Sequence, residues 1–262
     1  MHFEATPLTI LILGAMFEYF LATVFLLLDR GSAGRTLYLG GFVLSLGAVA
    51  LRWLQVGHVP MQNLFEVFLV MGTLVYPISL VCRRILRVGG ETIDAGLGLA
   101  LLFPVAFGIF PSKPLHLPPA LQSPLFIPHV AAYLLAYVLL AKAGVQAFAQ
   151  LIGLAPQGES VEREPATYRM AAAGFPLLTL GLVLGAWWGK LAWGDYWGWD
   201  PKELWSLATW LVFLGYFHFR YVTAGRWSRI NSLLVLCGVA LIVVTLLWAN
   251  LAERFVGLHN YA

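Results

Sequence analysis

Apolar residues run through this chain in long stretches, and short polar pieces separate them. The stretches fall near residues 8–28, 36–56, 64–82, 94–110, 128–151, 169–188, 204–222 and 230–250. A helix needs about 20 residues, at ~1.5 Å rise each, to cross a hydrocarbon layer of ~30 Å. The pattern therefore predicts an all-α integral membrane protein of about eight transmembrane helices. The fourth stretch is the weakest of them, because Gly96, Gly98, Pro104 and Gly108 interrupt it.

Composition supports the pattern. Hydrophobic residues make up 60% of the chain and charged residues 11%, with a mean hydropathy of +0.80. A soluble domain carries roughly 25% charged residues, so polar side chains here are too few to coat a water-soluble globule. The first residues lack the basic region of a secretory leader, and the stretch that follows is long enough to span, so it is expected to remain as a helix. No internal repeat or soluble domain is visible. The longest polar stretch, 156–168, reads as a loop, and the expectation is a single polytopic membrane domain over 1–262.

The formal charge of +3 does not point to nucleic acid, because the basic residues are sorted by side rather than clustered. With the N-terminus outside, Arg30, Arg35, Arg83, Arg84, Arg87, Arg163, Arg169, Arg220, Arg226 and Arg229 fall on the cytoplasmic side. Lys113, Lys190, Lys202 and Arg254 fall outside. That asymmetry follows the positive-inside rule and places both termini outside the cytoplasm. Two basic residues lie within spans. Arg52 is expected to pair with Glu66 on the next span, and Lys142 is matched by Glu18, since pairing offsets the cost of burying charge. Cys82 and Cys237 form neither a C-x-x-C nor a C-x-x-C-H motif, which argues against thiol redox chemistry and covalent haem on this chain.

Candidate chemistry sits between the sixth and seventh spans. Seven of the ten tryptophans lie between 187 and 210, and an external tryptophan-rich loop is expected over 187–205. Aromatic residues favour both membrane interfaces, but an interfacial belt does not explain such a concentration on one connection. Asp200-Pro201-Lys202-Glu203 has the form of a helix start: an N-cap, a proline at the first helical position and a glutamate completing a capping box. Both carboxylates are thus read as capping groups rather than catalytic acids. The cap sets the partly positive end of a helix beside the indoles, a place suited to an anion. Indoles offer wide apolar faces and one N–H each, which suits a flat hydrophobic ligand with polar edges, haem foremost.

The run Trp193-Gly-x-x-Trp197-Gly-Trp199-Asp200-Pro-Lys-Glu203-x-Trp205 resembles the WWD signature of the haem-handling proteins of cytochrome c assembly. Gly57-His58-Val-Pro60 through Glu66, and the ending Gly257-Leu258-His259-Asn260-Tyr261, resemble the CcsA (ResC) family within that superfamily, with Asn260 in place of its serine. The histidines divide by depth. His2, His58, His116, His129 and His259 are predicted outside, and His218 alone deep in the inner half of a span, which argues for more than one iron site. The resemblance implies that His129 and His259 ligate an external haem b as a bis-histidine pair, walled by Trp193, Trp197, Trp199 and Trp205 with Asp200 at their edge. It also implies that His218 ligates haem at an inner site. His58 and His116 remain external competitors, and His218 could instead be an interfacial histidine beside Arg220 and Tyr221. A second inner histidine is missing, so a separate CcsB (ResB) subunit is the implied partner. The implied activity is that of a cytochrome c haem lyase subunit in the bacterial plasma membrane, acting on haem and apocytochrome c. Two alternatives are a CcmC-type haem-delivery module without synthase activity and a cytochrome b-like electron carrier. The carrier needs paired histidines at matching depth within spans, and only one deep histidine is present.

Overall fold

A computed structural model describes residues 6–154 and 162–248, which form helices joined by turns and loops, with no strand among them. Eight α-helices follow one another: α1 Pro7–Leu27, α2 Gly31–Val56, α3 Leu64–Val81, α4 Glu91–Ala106, α5 Phe126–Leu151, α6 Arg163–Trp193, α7 Pro201–Val222 and α8 Ser228–Val243. Single π-helical turns extend α3 over Cys82–Leu86 and α8 over Val244–Trp248. Among the described residues six helices, α1, α2, α3, α5, α6 and α8, are long and apolar enough to cross a membrane. The fourth has only 16 residues, and α7 carries Lys202, Glu203, His218 and Arg220 along its length. The chain is an all-α, multi-pass membrane protein. His2 and His259 lie outside the described residues.

The helices gather into two compact units, α1–α4 with the chain to Leu117, and α5–α8 with the residues from Pro118 onward together with Arg84–Val88. In the first unit α2 buries Gly34, Tyr38, Gly41, Ser45, Ala48 and Arg52, a repeat of four and three residues that lines one face of a helix. Small residues let helix backbones approach where lipid offers no competing solvent force. Tyr19 of α1 shows how: its ring is clamped between Gly41 of α2 and Gly98 of α4, where any Cβ would meet it within 3 Å. Its hydroxyl donates to the Gly72 carbonyl of α3 at 3.3 Å.

The Arg52–Glu66 pair expected from the sequence is present, and each side chain is 1% exposed. Arg52 donates from Nε and Nη2 to Glu66 Oε1 at 3.1 and 2.9 Å, and from Nη1 to the Ser112 carbonyl at 2.7 Å. Glu66 Oε2 accepts the Gln62 N–H at 2.9 Å. One buried ion pair thus ties the α2–α3 connection to the chain after α4. Of the other two charges within the spans, Glu18 lies against Gly40 of α2, and Lys142 is buried within α5.

Candidate functional site

Two helix ends and a short loop build the tryptophan-rich segment. The sixth helix continues to Trp193, past the end near 188 that hydropathy suggests, so Trp187, Trp188 and Trp193 ride on its last turns. Gly194 stops it at φ 94°, a left-handed position that glycine takes without strain. At the far side of the loop, α7 begins with the capping box expected of Asp200 and Glu203. Lys202 N–H donates to Asp200 Oδ1 at 2.9 Å, and Asp200 N–H to Glu203 Oε2 at 3.1 Å.

Glu203 does more than cap. The same Oε2 also accepts the Gly198 N–H at 2.8 Å, so its two donors bracket Trp199. That residue has φ 56°, a conformation costing a side-chain-bearing residue roughly 1–2 kcal/mol. Two hydrogen bonds, each worth about 1 kcal/mol net, are enough to hold it. The turn throws the Trp199 indole outward, 67% exposed, edge-on to Trp197 at 6.1 Å. The Trp197 Nε1–H is buried and makes no hydrogen bond. Trp205 lies one turn into α7, partly buried, its carbonyl accepting the Thr209 hydroxyl at 2.7 Å. Ahead of the apolar run that begins at Leu204, burial pushes the Lys202 ammonium down to about 8, against the opposing pull of Asp200.

His129 stands in the first turn of α5. Its Nδ1 lies 2.9 Å from the Gly181 carbonyl of α6. A carbonyl only accepts, so Nδ1 carries the proton, and in the neutral ring Nε2 then bears the lone pair a metal would use. Trp188 stacks on the imidazole at 5.6 Å with 25° between planes, and Tyr133 meets it edge-on at 5.1 Å. Trp188 is itself anchored: it is 2% exposed, donates from Nε1 to the Ala120 carbonyl at 2.9 Å, and packs against Trp193 at 4.7 Å. The structure thus joins His129 to Trp193 through Trp188. Trp197 and Trp199 form a second pair on the turn that Glu203 holds. The sequence places Trp188 in the tryptophan-rich segment without signalling its contact with His129, and the signal for Gly181 and Gly185 is their four-residue spacing.

The remaining histidines are placed otherwise. His218 is exposed on α7, 15 residues after Glu203 or roughly 22 Å along a helix, so it shares no site with the capping turn. Two residues on, Arg220 donates from Nε and Nη2 to the two oxygens of Glu164 at 2.8 and 3.1 Å. The guanidinium lies 3.8 Å over the Tyr168 ring, and Asn231 Nδ2 donates to Glu164 Oε1 at 3.0 Å. Three helices are joined there, and His218 stands on the open side of α7. In the first unit both His58 nitrogens face backbone carbonyls, Nδ1 that of Val59 at 3.0 Å and Nε2 that of Leu115 at 3.3 Å. His116 is exposed, and its carbonyl accepts from Gln62. A cavity of about 660 Å³ opens in that unit beside Thr6, Arg52, Phe65, Phe107 and Phe110, but no histidine or tryptophan lines it.

Among the described residues no three His, Cys, Asp or Glu side chains converge as a chelating metal site. What the second unit offers is one oriented imidazole, exposed indole faces and an unpaired indole N–H. Those features suit iron already held in a flat organic ring. The profile of the cytochrome c assembly protein family matches residues 36–256. A cytochrome c biogenesis protein CcsA from a Synechococcus species is 30% identical, with 95% of this chain and 91% of the relative covered. The proteins of that name from Microcystis aeruginosa and a Synechocystis species are 30% and 27% identical. They cover 80% and 98% of this chain, and 81% and 96% of their own lengths.

Proposed function

Because this chain belongs to the cytochrome c assembly protein family, with a role in cytochrome c maturation, we propose that it presents haem b for attachment to apocytochrome c. The site is the extracytoplasmic face of the bacterial plasma membrane, and the chain serves there as the CcsA-type subunit of a holocytochrome c synthase. The observation that carries this reading is the His129 imidazole, fixed as the Nδ1–H form by the Gly181 carbonyl and stacked on Trp188.

In this reading His129 Nε2 and an imidazole of His259 hold the iron of the substrate as a bis-histidine pair. Trp193, Trp197, Trp199 and Trp205 cover the macrocycle and keep water from it, with the Asp200-capped end of α7 at the edge where the propionates lie. Each cysteine thiol of the apocytochrome adds across a vinyl group. A carbon–sulfur bond forms, the thiol proton ends on the neighbouring vinyl carbon, and nothing is oxidised or reduced overall. The nucleophiles therefore belong to the apocytochrome, and this chain supplies position. His218, exposed on α7, serves an inner haem site whose second imidazole comes from a CcsB-type subunit.

The test is to purify the chain with and without a CcsB-type subunit, then record the visible spectrum and thioether-linked haem. A low-spin, bis-imidazole spectrum is expected. His129→Ala or His259→Ala should lower haem retention, and added imidazole should partly restore it. Full retention in both variants, with loss in His58→Ala or His116→Ala, would overturn the ligand assignment. Haem binding that never yields thioether in the presence of the partner would favour a delivery module of the CcmC type.

A further inference from the structure

Three groups on one face of α6 surround the His129 ring. The Gly181 carbonyl accepts from Nδ1, and the Trp188 indole stacks on one ring face. Between them, four residues after Gly181 and three before Trp188, stands Gly185. A Cβ built there would lie 2.5 Å from His129 Cε1 and 2.9 Å from Nδ1, closer than nonbonded carbons come. The obstruction would fall on the edge of the ring that joins its two nitrogens.

We propose that Gly185 is a positioning residue for His129, its missing side chain leaving the room in which the imidazole points Nε2 at the iron. The proposal rests on the reading of His129 as a haem ligand. The ring sits at the end of two rotatable bonds, so it is the part that yields when a methyl group appears at 185. Backbone and helix packing stay nearly as they were, while Nδ1 leaves the Gly181 carbonyl and Nε2 swings with it. Partners that orient a ligating histidine are worth about 10- to 100-fold in metal affinity, and a displaced ring should lose at the lower end of that range. Gly174 of α6 supplies the control. Its Cβ would crowd Leu140 of α5 at 3.0 Å, so Gly174→Ala disturbs the same helix pair without touching the imidazole.

The experiment uses the full chain, co-purified with a CcsB-type subunit. Gly185→Ala should weaken haem retention about tenfold and convert part of the low-spin spectrum to high-spin, and added imidazole should return it. Gly174→Ala should keep the low-spin spectrum. A double-mutant cycle on the thermal stability of haem-free protein gives a readout independent of the cargo. Gly185→Ala should lower the Tm when His129 is present and leave it unchanged in the His129→Ala background, where no ring stands in the way. Equal losses of Tm in the two backgrounds, or a spectral change in Gly174→Ala as large as in Gly185→Ala, would reduce Gly185 to a packing residue and end the proposal. A His129→Ala protein with the wild-type spectrum would instead remove the ligand reading and this role with it. If His129→Ala loses the low-spin form and Gly185→Ala does not, only the positioning role fails.

Discussion

Asp200 accepts the Lys202 N–H and closes the first turn of α7, work that asparagine does equally well. Asparagine cannot exchange a proton near neutral pH, so one substitution separates a capping role from a catalytic one. Asp200→Asn should leave haem occupancy and thioether formation close to wild type. Losing an N-cap costs ~1 kcal/mol locally, whereas losing an essential acid or base costs ~10²–10⁴ in rate. Asp200→Leu should lower haem occupancy and cytochrome c yield together, because the turn around Trp199 loosens while the chemistry is untouched. An Asn variant that binds haem normally and makes no cytochrome c would give Asp200 a direct part in the reaction. The cap itself was legible beforehand, since it depends on four consecutive residues. The second duty of Glu203, accepting from Gly198 to hold Trp199 at positive φ, was not: no residue type marks a left-handed tryptophan.

Among the helices, the α2–α3 connection depends on a charge pair whose worth can be measured. Arg52 and Glu66 are both buried. Removing one partner of such a pair typically costs about 3–5 kcal/mol, because the other charge is left alone in a low-dielectric setting, while replacing both can be far milder. Arg52→Met should therefore lower the Tm of the detergent-solubilised protein sharply. Arg52→Met combined with Glu66→Met should recover part of the loss. Recovery should be incomplete, since Arg52 also serves the Ser112 carbonyl and Glu66 the Gln62 N–H. A single variant as stable as wild type would show that the pair adds nothing. At the same scale, the sixth helix outruns its apolar stretch. Hydropathy ends a span where polar residues begin, but backbone hydrogen bonding continues until Gly194 breaks it.

At the scale of the whole molecule, sidedness is carried by the distribution of charge along the chain rather than by helix packing. The excess of arginine on alternate connections predicts both termini outside. A reporter active only outside the cytoplasm should be active when fused after Ala262 and silent when placed in the 156–168 loop. The reverse pattern would invert the orientation and move His129 to the wrong face for apocytochrome c. The two helical units divide the chemistry as well: the indole array and His129 belong to α5–α7, and the Arg52–Glu66 pair to the first unit.

Membership of the family, the all-α membrane class, the capping box and the Arg52–Glu66 pairing were all readable from the chain alone. Each rests on residues close in sequence or on the length of an apolar run, quantities that need no packing to evaluate. The surroundings of His129 needed the fold. Its hydrogen-bond acceptor lies 52 residues away, and the space for its ring exists only because α5 and α6 pack with Gly185 against it. Trp188 looks like one more indole in a rich segment until its N–H is seen anchored to Ala120 and its face laid on the imidazole. A sequence gives the chemical kind of each group, but the direction of a lone pair depends on what the neighbouring helix places beside it.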